Sequence, residues 1–370
     1  MKFSATQDET ASALQQVIRI IQPQNVMAIA SGVQLEAQDG QLRLSATDLS
    51  HHSLATIPCE VMEPGYVVLP ASTFNDFISR LPTATFTLST QPESGQATLR
   101  YGRNTVVING FGREMLPEFP QISPAHSATI TLPAGTLTTL SRELLFACGK
   151  DDYRPMLKGV FVQVRNGQLV MVATDGNRLS HAWQAMPGYR EMEQSVILPS
   201  KMLAEGARIN AAEPVTMRLG TDLVELSTAH LIVTGRLLAG QYPDYDRVIP
   251  DEYVTRCRIP VAEFRGAVDR ISLIVAQDRS TPLQIHVESG LLILSAEAAK
   301  IGRAEEVLEC PTEGDPIDIQ FNPAYIGEAV KSLDSDDCIF EFSGIQSAAR
   351  FRSLDDSSYF HVLLPLRQLV

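Results

Sequence analysis

The sequence predicts an α+β chain built from three repeated domains, each made of two helices backed by β-sheets. Three signals predict it, recurring in the same order in each copy: an amphipathic helix, a hairpin, and a strand that runs into a second helix. The repeat is about 120–130 residues long, the size of a domain and not of a solenoid unit.

The first helices are read from apolar spacing. Leu14, Val17, Ile18 and Ile21 recur on one helical face in copy one. Leu137, Leu140, Leu144 and Leu145 do so in copy two, and Phe264, Ala267, Val268 and Ile271 in copy three. The hairpins follow. GVQLEAQDGQLRLSATD turns at Asp39-Gly40, GVFVQVRNGQLVMVATD at Asn166-Gly167, and PLQIHVESGLLILSAE at Ser289-Gly290. Asp-Gly and Asn-Gly supply the positive φ of tight hairpin turns, and Ser-Gly is a weaker form of the same signal.

The second helices open after VVLP, VILP and IDIQFNP. Pro70 and Pro199 precede the small polar residues Ser72 and Ser200, and Asn322-Pro323 takes their place in copy three. Proline suits a first turn because its missing N–H would be unpaired there anyway. Alternating strands complete each copy: TFTLST and NTVVING, then PVTMRLG and HLIVTGRL, then CIFEFSG and YFHVLLPL. The proline-bearing connectors FPQISPAH and QYPDYDRVIPDEY place boundaries near Ser127 and Val254. The expected domains are therefore 1–126, 127–253 and 254–370.

Composition narrows the function. The 370 residues are 44% hydrophobic, enough for a sizeable core, with formal net charge −13. Such a balance argues against gripping nucleic acid over the whole surface, but allows contact at one basic face, weak and salt-sensitive. The start MKFSATQDETASAL lacks a basic segment followed by an apolar one, and no apolar run nears the ~20 residues that span a bilayer, so a cytoplasmic protein with no membrane partner is expected. The five cysteines show no C-x-x-C spacing, so neither metal nor disulfide framework is expected. No G-x-x-x-x-G-K-[ST], G-x-G-x-x-G or G-x-S-x-G motif is present. Thr174-Asp175 looks like a carboxylate site, but Thr47-Asp48 repeats it at the matching hairpin end, which points to turn capping. The expectation is a non-enzyme with no catalytic residue and no cofactor.

Three similar domains joined end to end resemble half of a closed ring. If every junction is alike, the chain ends expose the same junction unfilled, and a second copy fills both to give a head-to-tail dimer. Val106 and Ile108 are candidate edge residues, with Leu273 and Ile274 on the first helix of copy three as their partners; the alternative is that all four belong to their own domain cores.

Four motifs carry a resemblance over nearly the whole chain: VATDGNRLS (Val172–Ser180), QYPDYDRVIP (Gln241–Pro250), HVLLPLR (His361–Arg367) and DYRPMLKGV (Asp152–Val160). The chain resembles the β sliding clamps, the β subunits of bacterial DNA polymerase III. The resemblance implies three DNA-clamp domains, a homodimeric ring around duplex DNA, and a processivity role independent of DNA sequence. It also implies a partner-peptide cleft formed by Arg154, Leu157, Thr174, Gly176, Asn177, Arg178, Leu179, Pro243, Arg247, Val248, Val362, Leu363, Leu364, Pro365, Leu366 and Arg367, with Asn322 and Tyr325 at its rim. A groove of Leu, Val and Pro edged by Arg and amides suits a peptide with apolar anchors and a Gln. The implied partners are a clamp loader, the replicative polymerase catalytic subunit, translesion polymerases, a mismatch-repair protein and ligase.

The sequence departs from the family at several places. Asn177 stands where His is common, Gln241-Tyr242 replaces a basic residue and Phe, Val26–Val33 replaces a Leu-Pro-Ile-Leu run, and Gln368-Leu369-Val370 extends the usual end. The alternative reading of these departures is a divergent or mobile-element clamp paralog serving a specialised polymerase or repair system. On the implied inner helices, the DNA-facing candidates are Arg19, Arg80, Arg142, Lys201, Arg208, Arg265, Arg270 and Lys331. They are nearly balanced by Asp8, Glu9, Asp76, Glu143, Glu205, Glu263, Asp269 and Glu328. Asp8, Glu9 and Glu263 fall where a helix dipole favours acids.

Overall fold

The apolar stripes read from the sequence form helices because each has a sheet to bury against. In a computed structural model that describes residues 1–21, 27–82, 84–91, 95–112, 115–123, 127–275 and 281–366, these helices are α1 (Gln7–Val17), α2 (Ala71–Ile78), α3 (Thr136–Leu144), α4 (Ser200–Ile209), α5 (Val261–Val275) and α6 (Pro323–Ser332). Leu14 and Val17 of α1, Leu137 and Leu144 of α3, and Phe264 and Ala267 of α5 are fully buried. Asp8 and Glu9 occupy the first turn of α1 and Glu263 that of α5. The second helices start at the predicted prolines. Pro70 caps α2, Pro199 ends the strand before α4, and Pro323 opens α6 while Asn322 Oδ1 accepts the Ala324 N–H at 3.0 Å.

The three hairpins share one construction. Asp39 and Gly40 have φ of 52° and 76°, and Asn166 and Gly167 have 52° and 71°, as a two-residue turn with two positive φ angles requires. In the third turn Gly290 has φ 79° and Ser289 does not enter the left-handed region. The turn carbonyl is then latched by a later residue: Cys59 N–H bonds Gly40 O at 3.0 Å, Met186 N–H bonds Gly167 O at 2.7 Å, and Cys310 N–H bonds Gly290 O at 3.0 Å.

The chain divides into two compact units, one of Met1–Gly135 with Arg208–Leu237, the other of Thr136–Ala207 with Leu238–Val370. The middle repeat is shared between them because each of its sheets is continued by a neighbour's strands. In the first unit an eight-stranded sheet joins Leu231–Arg236 of the middle repeat to His51–Pro58 of the first, antiparallel, with Ile232 opposite Leu54 and Thr234 opposite His52. A five-stranded sheet in that unit ends on the strand Asn104–Asn109, which pairs with Gln96–Tyr101 along one edge. Phe3, Phe74 and Phe86 are buried at its core.

In the second unit a nine-stranded sheet joins Arg178–Ala185 to Tyr359–Leu363, with Leu179 opposite Val362 and His181 opposite Phe360. A four-stranded sheet ends on Gly302–Glu309, which pairs with Leu291–Ala298 along one edge. Phe264, Phe321, Phe340, Phe342 and Phe351 form an aromatic core, with the Phe340 and Phe351 rings stacked at 3.6 Å. Each such ring contributes about 1.5–3 kcal/mol by leaving water.

Candidate functional site: a groove above a buried arginine

The site is built on the turn between the strands Gln168–Thr174 and Arg178–Ala185. Thr174 Oγ1 donates to Arg178 O at 2.6 Å and accepts the Gly176 N–H at 3.0 Å. Asp175 Oδ1 accepts the N–H groups of Asn177 and Arg178 at 2.9 and 3.2 Å. Asp48 serves the first repeat in the same way, accepting from Ser50 and His51. The repeated Thr-Asp pair is therefore a turn-capping device. Gly176 has φ 93°, which demands glycine, and a Cβ there would lie 2.6 Å from Arg154 Nη1, so any side chain would displace the Arg154 guanidinium.

Arg178 is 6% exposed, and each of its three side-chain nitrogens donates a hydrogen bond. Nε donates to Asp175 Oδ2 at 3.0 Å, Nη1 to Glu328 of α6, and Nη2 to the Phe146 carbonyl. The Tyr325 ring covers its guanidinium at 4.3 Å and the Phe146 ring lies at 5.3 Å. Arg154 Nη2 donates to Asp175 O at 2.9 Å. Beneath, Ser180 Oγ and His361 Nδ1 share a 2.7 Å hydrogen bond, and burial with the nearby Arg178 charge pushes His361 down to about 3. Burial pushes the Cys148 thiol beside this cluster up to about 12.

Above the arginine lies a groove of about 180 Å³ lined by Arg154, Leu157, Thr174, Gly176, Arg178, Leu179, Pro243, Asp244, Tyr245, Val248, Val362 and Leu364. Val248 and Leu364 are 45% and 41% exposed, so apolar side chains face the opening. A second cavity of about 330 Å³ shares Arg154, Leu157 and Arg178 and adds Cys148, Lys150, Asp151, Asp175, Asn177 and Tyr325. The combination is an apolar slot beside a polar chamber. It can seat hydrophobic side chains at one end and an amide or charged group at the other.

Most residues named from the sequence converge here, with informative exceptions. Leu363 is fully buried in the sheet, because the strand alternates and sends Val362 and Leu364 to the groove. Arg247 is exposed and ion-paired with Asp244 at 2.6 Å. Asn322 caps α6, and Leu366 N–H bonds Gln320 O at 2.8 Å. Pro365 is half-buried. Arg367 and the extension Gln368-Leu369-Val370 lie outside the described residues. Asp244 and Tyr245 line the groove without having been singled out, although both lie within QYPDYDRVIP. Lys150 and Asp151 precede the DYRPMLKGV stretch or overlap no apolar pattern, so no spacing pointed to them.

Family models match nearly the entire chain: the N-terminal domain of the DNA polymerase III beta subunit over residues 1–123, the central domain over 131–244 and the C-terminal domain over 246–367. The chain belongs to the DNA polymerase III beta subunit family. It is a sliding clamp, a non-catalytic processivity factor of DNA polymerase III. Among its relatives, the beta sliding clamp of Bacillus subtilis is 27% identical over 99% of this chain and 100% of that one, and that of Staphylococcus epidermidis is 28% identical over 99% of each. Among solved structures, the Bacillus subtilis DNA polymerase sliding clamp has a TM-score of 0.95 at 26% identity, covering 100% of this chain and 99% of that one. The Thermotoga maritima beta subunit has a TM-score of 0.89 at 25% identity, covering 99% of each.

Both signs of charge on the helices of this clamp are partly engaged within the fold. Glu143 and Glu205 are 8% and 6% exposed, and Glu328 is engaged by Arg178. Among the basic candidates, Arg142 pairs with Asp334 at 2.7 Å, Lys331 with Asp269 at 3.2 Å, and Arg270 holds both oxygens of Glu306 at 2.7 and 2.6 Å. Arg19, Arg80 and Arg208 are exposed, while Lys201 and Arg265 are half-buried. Arg19 and Arg208 line one cavity of about 700 Å³ in the first unit, together with Asp8, Glu9 and His230. Of the interface candidates, Leu273 is 72% exposed, Val106 and Ile274 are half-buried, and Ile108 is 7% exposed against its own sheet. Among the described residues no helix is long and apolar enough to cross a membrane, and no His, Cys, Asp and Glu group is placed to hold a metal ion.

Proposed function

We propose that this sliding clamp closes as a head-to-tail homodimer around duplex DNA and holds its partners by a short peptide seated in the groove above Arg178. The observation that supports ring closure is a pattern of strand pairing. The last strand of the middle repeat, Leu231–Arg236, pairs with His51–Pro58 of the first, and the last strand of the third, Tyr359–Leu363, pairs with Arg178–Ala185 of the second. The counterparts of these two partners are Asn104–Asn109, the last strand of the first repeat, and Gly302–Glu309, which follows the third hairpin. Each is an edge strand of its sheet. A second chain supplies what each edge lacks, and the same operation satisfies both. Val106 and Ile108 then belong to one side of that junction, with Leu273 and Ile274 of α5 on the other. The repeat pattern supports domains of 1–126, 127–253 and 254–370.

Exposed Arg19, Arg80 and Arg208, with Lys201 and Arg265, are assigned to loose phosphate contacts that carry no sequence information and permit sliding. Arg142, Arg270 and Lys331 join them by exchanging a carboxylate for a phosphate. The groove's apolar slot takes the Leu and Phe of a Gln-Leu-x-Leu-Phe peptide, and its polar chamber takes the Gln. Carriers of such a peptide are the replicative polymerase catalytic subunit, the clamp loader, translesion polymerases, a mismatch-repair protein and ligase, all in the cytoplasm. The deciding experiment loads the clamp on nicked circular DNA and then raises the salt. Retention on circles with rapid loss after linearisation supports encirclement, and equal loss from both rejects it.

A further inference from the structure

The apolar floor of the groove continues into a row of charge. Leu179 lies opposite Val362, Val362 opposite Arg350, Arg350 opposite Glu341, and Glu341 opposite Arg256, in four successive strand pairs of the nine-stranded sheet. Directly opposed residues share a sheet face, so one row runs from the slot across the third repeat. A second row beside it runs from His181 through Phe360 to Arg352. Ala348, two residues before Arg350, packs against the Leu179 and Val362 cluster. The opposite face of these strands holds buried Phe340, Phe342 and Phe351. Arg350 Nε donates to Glu341 Oε2 at 2.7 Å and Arg352 Nη2 to Oε1 at 3.2 Å, while Arg256 Nε lies 3.8 Å from Oε1. The Glu341 side chain is 3% exposed, and those of Arg256, Arg350 and Arg352 are 26%, 25% and 23% exposed. One buried carboxylate thus faces three part-exposed guanidinium groups, where a single arginine would neutralise it. Arg256 also lies 3.9 Å from Glu313, and Arg258 pairs with Asp337. Among the described residues, the surplus of positive charge therefore rests on Arg350 and Arg352, beside the groove.

We propose that Arg350 and Arg352 extend the groove into an arm that selects acidic partner peptides, taking Asp or Glu side chains that follow the apolar anchors. The proposal rests on the groove being the peptide site. Leu179 and Val362 floor the slot that takes Leu and Phe, whereas the polar chamber lies toward Asn177 and Tyr325. The acids therefore follow the Phe and do not precede the Gln. Neighbouring strands lie ~4.8 Å apart, so Arg350 is one strand beyond Val362, and an extended peptide advancing ~3.3 Å per residue reaches it about two residues past its last anchor. On a chain of net charge −13, a basic strip joined to an apolar slot discriminates between partners that share the anchors but differ in their flanks. Continuity with that slot selects a peptide as occupant, because a phosphate backbone has nothing to fill it.

The test measures binding of the full-length clamp to two fluorescent Gln-Leu-x-Leu-Phe peptides, one extended past the Phe by three Asp and the other by three Ser. The Asp peptide is expected to bind about fivefold more tightly at low salt. That ratio should fall toward one as salt rises, and should be about one in R350Q and in R352Q. Because the ratio is taken within each protein, a general loss of folding or of slot affinity does not imitate the result. Equal affinities in the wild type overturn the proposal, as does a ratio that survives both substitutions. If the Ser peptide binds and Asp adds nothing, the groove assignment stands and only the arm falls. If the Ser peptide does not bind, the groove assignment falls and takes the arm with it. A reduced salt slope of DNA binding in R352Q, with equal peptide affinities, gives the arginines to phosphate and also overturns the proposal.

Discussion

Tyr325 lies over the guanidinium of Arg178 at 4.3 Å, so the first turn of α6 and the floor of the groove are one electrostatic unit. Tyr325 also closes the polar chamber, and burial raises its hydroxyl above the ordinary phenol value. Y325A removes this stacking and a wall of the polar chamber, and is expected to weaken a Gln-Leu-x-Leu-Phe peptide by about tenfold, about 1.4 kcal/mol. R178A is harsher because it strands Asp175 and Glu328, with an expected loss of about 3 kcal/mol in stability. Peptide anisotropy and thermal melting separate the two effects; unchanged affinity in Y325A would exclude the stacked ring from the binding surface.

Gly176 holds a backbone conformation that L side chains rarely adopt. G176A places a methyl against Arg154 at a φ of 93°, and is expected to cost about 1–3 kcal/mol and to lower peptide affinity by displacing Arg154. Titration calorimetry with folded G176A checks this; wild-type affinity would contradict the assigned role of the turn.

Two buried groups set opposite pH limits. Burial pushes Glu143 up to about 7, with Arg142 at 3.9 Å opposing and Asp356 and Asp334 adding to the rise. The folded state therefore prefers the neutral carboxyl, and stability falls as pH rises from about 4.5 through 7, by at most about 3 kcal/mol. His361, pushed down to about 3, must stay neutral in the fold, so stability also falls as pH drops from 6.5 toward 3. E143Q is expected to gain on the wild type progressively between pH 5 and about 7, then to keep a constant advantage. A difference that does not vary over that window would refute the buried-acid account.

At the open edge, V106D puts a charge on a strand that the ring would bury, and L273D does so on α5. Each is expected to raise the dimer dissociation constant at least about tenfold while leaving the monomer folded. Sedimentation equilibrium measures it, and undisturbed dimers in both variants would move the junction elsewhere.

Arg19 is exposed in a wide cavity with Arg208. R19A is expected to lower the salt slope of DNA binding by about one unit and to leave melting unchanged within about 0.5 kcal/mol. An unaltered slope would remove Arg19 from the phosphate contacts.

The sequence by itself determined the repeat, the helices and the hairpins, because these depend on local causes. Leu14 and Val17 share a face by helical spacing, and Asp39-Gly40 turns the chain through backbone angles that few other pairs adopt. It also named most of the groove, since Val172–Ser180 and Gln241–Pro250 are contiguous motifs. Only tertiary structure decided the rest. It turned Leu363 inward and Leu364 outward, buried Glu143 and Glu205, and brought Glu328 to Arg178. The physical reason is range. Periodicity and turn chemistry act over a few residues, whereas burial and ion pairing depend on which distant strand supplies the opposing surface.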